Sequence, residues 1–212
     1  MKIFVAGATG RVGQKLVAIL QEQGHFVYAG ARKTDQIVES ENSKAVFTDL
    51  HTSVDALTEV LGDSEVVIFA AGSRGKDLLQ TDLHGAVKLM QAAEKKGIKR
   101  YIQLSSVFSL EPERWQEGSF ASILDYMIAK HYADSWLIDH TDLDYTILQP
   151  GTLKETTGTG KIAIDSHEAG ENSIANVAEA LAQLVVEPST IKKVIAMHDG
   201  ETPIKEVFKI ND

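Results

Sequence analysis

Apolar residues in this 212-residue chain alternate between two periodicities. Short apolar runs rich in β-branched and aromatic residues read as strands: Lys2-Ile3-Phe4-Val5-Ala6, then 25–29, 44–48, 65–70, 100–104 and 144–148. The run at 65–70, Glu65-Val66-Val67-Ile68-Phe69-Ala70, is apolar almost throughout, as expected of a strand covered on both faces. Between the runs, apolar positions recur every three or four residues and predict helices. One follows Gly13 through Gln23, and another spans 52–61 with Val54, Leu57 and Leu61 on one face. A long helix carries Leu79, Leu83, Val87, Met90 and Ala93, and a fourth spans 122–139. Repeated β-α units predict an α/β fold, a doubly wound parallel sheet with right-handed crossovers.

Past Gln149-Pro150-Gly151 the pattern changes. Thr156-Thr157-Gly158-Thr159-Gly160 reads as a loop, followed by a short strand at 161–164, a helix at 173–186 capped by Ser173 or Asn172, and a strand at 192–197. Thr202-Pro203 reads as an N-cap with proline at the first position of a last short helix. The length suits one domain, 1–212, in which 151–212 contributes a small cap on the substrate side, over the carboxyl ends of the strands.

The first strand runs into Gly7-Ala8-Thr9-Gly10-Arg11-Val12-Gly13, and a helix begins at once. A glycine turn between strand and helix lets backbone approach a diphosphate, with amide N–H groups and the positive helix end facing the anion. Gly7 permits the tight turn, Gly10 clears the phosphate's path, and Gly13 lets helix pack on strand. The spacing is G-x-x-G-x-x-G, and Gly7, Thr9, Gly10, Arg11, Val12 and Gly13 are the expected dinucleotide contacts. After the second strand no carboxylate occurs until Asp35. Arg32 and Lys33 stand where an adenosine 2′-phosphate would lie, and Arg11 can approach the same group. NADP(H) is therefore expected over NAD(H). Asp49 and Leu50 are candidate adenine contacts, and Ala70, Ala71 and Gly72 are expected behind the dinucleotide.

The strand at 100–104 ends in Ser105-Ser106, and the next helix carries Tyr126 and Lys130, four residues apart on one face. A phenol is a poor acid-base group at neutral pH, and a neighbouring ammonium favours its ionised form. Tyr126 is thus a candidate for proton exchange with a substrate hydroxyl or carbonyl, and Lys130 for tuning it and holding the nicotinamide ribose. A serine hydroxyl at the strand end, Ser105 or Ser106, is placed to stabilise charge on the same substrate oxygen.

Composition narrows the reading. The net charge of −9 argues against nucleic acid as a partner. The densest basic stretch, Lys95-Lys96-Gly97-Ile98-Lys99-Arg100, reads as a solvated helix end. The absence of cysteine removes disulfides, thiolate metal sites and cysteine nucleophiles. The seven histidines show no metal-ligand spacing, so no metal is expected, although His84 and His131 lie near the candidate site in sequence. Trp115 and Trp136 read as packing anchors. The charged stretch 111–117 reads as a mobile segment able to act as a lid. No stretch is apolar enough to span a membrane, and a cytoplasmic location is expected.

Taken together, the glycine turn, Ser105-Ser106, Tyr126-x-x-x-Lys130 and Tyr145-Thr146-Ile147-Leu148-Gln149-Pro150-Gly151 resemble the short-chain dehydrogenase/reductase superfamily. The match is to its small atypical NAD(P)H-binding branch, near the sugar-epimerase-like and NmrA-like proteins, and it covers essentially the whole chain. Ser173-Ile174-Ala175-Asn176-Val177-Ala178 and Gly200-Glu201-Thr202-Pro203-Ile204 fit the same branch. The resemblance implies a Rossmann fold, Ser106 rather than Ser105 in a triad with Tyr126 and Lys130, and Pro150 at the coenzyme. Asp82 stands where many members carry asparagine, and Gln149 where many carry arginine before Pro-Gly. The branch includes non-catalytic cofactor sensors, and retention of Tyr126 and Lys130 favours activity. The expected function is an NADPH-dependent oxidoreductase of a small carbonyl or quinone-like substrate. The alternatives are a non-catalytic NADP(H) sensor and a sugar-nucleotide epimerase or dehydratase.

Overall fold

The computed structural model describes residues 1–116, 118, 120–165 and 168–209. The amino-terminal half runs β1 (Lys2–Ala6), α1 (Arg11–Glu22), β2 (Phe26–Ala31), β3 (Ser43–Phe47), α2 (Val54–Val60) and β4 (Val66–Phe69). A π-helical turn at Leu78–Gly85 then leads into α3 (Ala86–Lys96), β5 (Arg100–Leu104), α4 (Leu124–Asp139) and β6 (Asp144–Pro150). The remainder comprises β7 (Thr152–Lys154), β8 (Lys161–Ile164), β9 (Glu171–Ser173), α5 (Ile174–Leu184), β10 (Lys193–Asp199), β11 (Thr202–Pro203) and α6 (Ile204–Val207). The main sheet has the order β11-β8-β10-β6-β5-β4-β1-β2-β3. All pairs from β10 to β3 are parallel, giving the expected Rossmann-like α/β fold with helices on both faces.

Alternation along β1 shows how the sheet is held. Ile3 and Val5 face α1 and α5, meeting Leu16, Leu20, Val177 and Leu181. Phe4 and Ala6 face the other layer, with Leu57, Leu89, Met90 and Leu137. Leu16, Leu20, Leu89 and Leu181 are fully buried, and each stabilises the fold by roughly 1.5–3 kcal/mol through removal of apolar surface from water.

The carboxyl-terminal segment does more than cap. Through β10, β8 and β11 it extends the sheet, with β8 antiparallel to both neighbours, so the sheet is not wholly parallel. Its α5 packs against α1 and supplies much of one core layer. Among the described residues after β6, Gly151, Thr152 and Leu153 line the cleft at the carboxyl ends of the central strands. Thr202 and Pro203 form β11, Pro203 is extended (ψ 134°), and α6 starts at Ile204, so proline precedes the helix instead of opening it. Ser173 is the cap of α5, its hydroxyl accepting from Ala175 N at 3.2 Å.

Two further expectations are corrected. The long helix begins as a π-helical turn, whose wider winding carries Leu79 off the apolar stripe; that residue is 69% exposed. Gly85 closes this turn where a Cβ would lie 2.9 Å from both Gln80 O and Leu50 Cβ. Arg100 is not part of a solvated helix end. Its guanidinium donates to Asp144 O (2.9 Å), Thr146 Oγ1 (2.8 Å), Leu184 O (2.7 Å) and Thr190 Oγ1 (3.1 Å), joining β5, β6 and the end of α5. Burial lowers its pKa to about 10. Lys95 does remain at the surface, paired with Asp55.

Candidate active site

Strand order reverses direction between β4 and β1, and open α/β sheets carry their ligand crevice at such a point. A cavity of about 950 Å³ lies there, walled by the ends of β1, β2, β4, β5 and β6. At one end Gly7 takes a left-handed conformation (φ +87°), and its N–H and that of Ala8 donate to Gly30 O at 2.9 and 3.1 Å. A Cβ on Gly7 would lie 2.6 Å from Ala71 Cα, and one on Gly13 only 2.1 Å from Gly7 O. The turn is thus built on close backbone approach. Gly10 stands at the N-cap of α1 with no side chain to cap it, leaving the first amides of the helix to an acceptor in the cleft. These residues fit the diphosphate of a dinucleotide.

Of the residues expected at the coenzyme, Gly7, Thr9, Gly10, Arg11, Val12, Arg32, Lys33, Asp49, Leu50, Ala70, Ala71, Gly72, Lys130 and Pro150 line this cavity. Gly13 does not; its role is the helix-to-turn packing just described. Arg74 and Lys76 also line the cavity and were missed, although they lie two and four residues after Gly72. Arg74 also holds a positive φ of 54°. Among the described lining residues six are cationic and two acidic, Asp49 and Asp82, reversing the net charge of −9. Asp82 is fully buried, and its Oδ2 accepts from Ser73 N at 3.0 Å, pinning the loop after β4.

At the other end stand Ser106, Tyr126 and Lys130. Lys130 is 3% exposed, donates to Leu104 O at 3.0 Å, and places Nζ 5.8 Å from the centroids of the Tyr126 and Phe69 rings. Among the described residues, Ser106 Oγ has only a 3.7 Å contact with Met127 Sδ, which leaves its hydroxyl available to a stronger acceptor. Ser105 also borders the cavity, but its hydroxyl donates to Asp134. The two serine hydroxyls thus differ in their partners: Ser105 is engaged by a carboxylate and Ser106 is not.

Phe120, Ile123 and Leu153, also missed, give this end an apolar wall. Phe108 and Trp115 lie close by in a small cluster with Met127. The charged stretch after β5 is anchored there and is not a free strap: Trp115 Nε1 donates to Phe108 O at 2.7 Å, and the Arg114 guanidinium lies 3.8 Å from the Phe108 ring centroid. Glu117 of that stretch lies outside the described residues. His131 is engaged with Ser109 O (2.9 Å), His84 is exposed, and neither lines the cavity. Trp136 packs beside His140, as expected of an anchor. Among the described residues there is no cluster suited to a metal ion, and no helix is long and apolar enough to cross a membrane.

A family model described as NAD(P)H-binding matches residues 7–188. The chain belongs to that NAD(P)H-binding family. It is 35% identical over 217 residues to a Bacillus subtilis protein named "Uncharacterized sugar epimerase YhfK", covering 99% of each chain. It is 33% identical to the Saccharomyces cerevisiae UPF0659 protein YMR090W over 99% of this chain and 98% of that one. A solved structure of the Lactococcus lactis oxidoreductase ylbE superimposes with a TM-score of 0.96 at 47% identity, covering 99% of this chain and 95% of the other. Family and fold together make this an NAD(P)H-binding protein of Rossmann-like α/β fold, similar to a solved structure that is named an oxidoreductase.

Proposed function

We propose that this protein reduces a small carbonyl or quinone-like compound at the expense of NADPH. The observation that carries the proposal is the continuity of one cleft from the glycine turn to Ser106, Tyr126 and Lys130. Arg32 and Lys33, with Arg11, Arg74 and Lys76 lining the same cavity, supply cationic donors suited to a 2′-phosphate. No carboxylate follows β2 closely enough to receive a ribose 2′-hydroxyl in its place.

When bound, the coenzyme supplies a hydride to the substrate carbonyl carbon. The chain's own residues handle the oxygen and the proton. Tyr126 gives its hydroxyl proton to the carbonyl oxygen and is reprotonated from solvent, so the carbonyl becomes an alcohol. Ser106 donates a hydrogen bond to that oxygen while charge develops on it. Lys130, held at Leu104 O, keeps a positive charge beside the Tyr126 ring and is placed to donate to the nicotinamide ribose. Phe120, Ile123 and Leu153 favour a compact apolar acceptor.

A second reading, a sugar epimerase, is favoured by the similarity to the Bacillus subtilis protein named as one. An epimerase returns the hydride to its substrate and consumes no coenzyme. The test is NADPH and NADH titration of wild type and Arg32→Ala, then NADPH oxidation against a carbonyl and quinone panel. NADPH binding tighter than NADH, and turnover with a panel member, are expected. Binding without consumption across the panel, with function indifferent to Tyr126→Phe, would support a cofactor sensor instead. Equal affinity for the two coenzymes would refute the NADPH preference.

A further inference from the structure

Behind the cleft two rows of polar side chains meet. Tyr101, Gln103 and Ser105 alternate with Ile102 and Leu104, so they share the face of β5 turned toward α4. Tyr126, Lys130 and Asp134 follow one another at four-residue spacing along α4. Asp134 is fully buried where the rows meet. Its Oδ2 accepts the hydroxyls of Ser105 and Ser109, the latter at 2.6 Å. Gln149 Nε2 donates to Ser109 Oγ at 2.7 Å, which leaves the Ser109 proton to point at the carboxylate. The turn that carries Ser106 is therefore tied, on both sides of that residue, to one carboxylate on the helix that carries Tyr126 and Lys130.

We propose that Asp134 is the positioning residue of this site: through Ser105 and Ser109 it holds the Ser106 turn against α4, and so sets Ser106 against Tyr126 and Lys130. It touches neither substrate nor coenzyme. The inference rests on the roles given above to Ser106, Tyr126 and Lys130. Gln149 completes the network as a neutral amide, leaving Lys130 as the cation that acts on Asp134.

Burial pushes the Asp134 carboxyl up to about 6, against the opposing pull of Ser105, Ser109, Lys130 and Gln149. The ionisable groups around it are Lys130 on its own helix and Tyr101 on β5, and His131, also on α4, is bonded through Nδ1 to Ser109 O at 2.9 Å. The π-helical turn packed on α4 contributes Asp82, which is tied to Ser73 N. Below pH 6 the carboxyl becomes neutral, accepts the serine hydroxyls more weakly, and no longer faces Lys130 as an anion.

The test is kcat at saturating NADPH and saturating carbonyl substrate, from about pH 5 to pH 8. Saturation keeps the coenzyme's own 2′-phosphate, whose second pKa is near 6, out of the profile. Wild type is expected to lose kcat through one acid limb near pH 6. Asp134→Asn is expected to turn over about tenfold more slowly at neutral pH, with no acid limb and coenzyme affinity within about threefold of wild type. Ser109→Ala removes one donor from the carboxylate and is expected to move the limb to higher pH by about one unit. A purely structural role would lower melting temperature without moving the limb. A wild-type acid limb in Asp134→Asn overturns the inference. If that variant does not fold, an unmoved limb in Ser109→Ala overturns it. Tyr126→Phe separates the two levels: wild-type kcat there removes the assigned proton donor, whereas an inactive Tyr126→Phe beside an unaltered Asp134→Asn profile overturns only the role of Asp134.

Discussion

Asp134 makes a stability prediction whose sign and size follow from its surroundings. Its carboxyl is raised from the ordinary 3.8 to about 6, because burial disfavours the charge more than Lys130 and the serine hydroxyls favour it. Well below pH 3.8 the group is protonated in folded and unfolded chains alike and contributes nothing. As pH rises from 3.8 toward 6 the unfolded chain loses the proton while the folded chain keeps it, so stability falls, and the loss levels off above 6. Complete, it amounts to about 3 kcal/mol. Asparagine at this position resembles the neutral acid and does not titrate. The difference in unfolding free energy, Asp134→Asn minus wild type, is therefore expected to grow by about 2–3 kcal/mol between pH 4 and pH 7.5. Urea unfolding of both proteins across that range measures it, and the titrations of all other groups cancel in the difference. A difference that stays flat, or shrinks as pH rises, would refute the raised carboxyl and the account of why it is retained. Retention of a group that costs stability at neutral pH points to a role other than holding the fold together.

Three further outcomes are expected. Arg32→Ala should weaken NADPH binding by roughly 10- to 100-fold, the loss of a charge-assisted phosphate contact, and leave NADH affinity unchanged in calorimetry. Gly13→Ala forces a Cβ to 2.1 Å from Gly7 O, so the glycine turn must shift. Coenzyme affinity should fall by at least about tenfold, and melting temperature should fall with it. Arg100→Met removes four hydrogen bonds, leaving Leu184 O with a long 3.4 Å bond from Glu187 N and Thr190 Oγ1 with Thr146 Oγ1 at 3.2 Å, and should lower stability by about 2–4 kcal/mol in denaturant unfolding.

The regular half of the fold could be read from sequence because each β-α unit carries its own signal. The run Val66–Phe69 is buried on both faces and is apolar at every position, so no other assignment competes. The glycine turn was legible for a similar reason: its function is local backbone geometry, and three glycines within seven residues encode it. What was hidden depends on partners distant in sequence. Arg100 reads as a surface cation until Leu184 and Thr190 arrive from 84 and 90 residues away. Asp134 carries no local signal at all; its role emerges only when Ser105 and Gln149 close over it. The tail misled in the same way. Its strands are short, and their place in the sheet is fixed by pairing with β6 and with one another, not by any period of their own. Arg74 and Lys76 were within reach: two cations flanking Gly75, just after the Ala70-Ala71-Gly72 turn, are a local signal.

The most direct test of the proposed chemistry is a single-turnover experiment on the NADPH-loaded protein. Hydride transfer to a reactive small carbonyl acceptor is followed by loss of absorbance at about 340 nm in wild type and in Tyr126→Phe, each saturated with coenzyme. A rate about 100-fold or more lower in Tyr126→Phe, with NADPH affinity preserved, is predicted for loss of the proton donor. Equal rates in the two proteins would contradict the account.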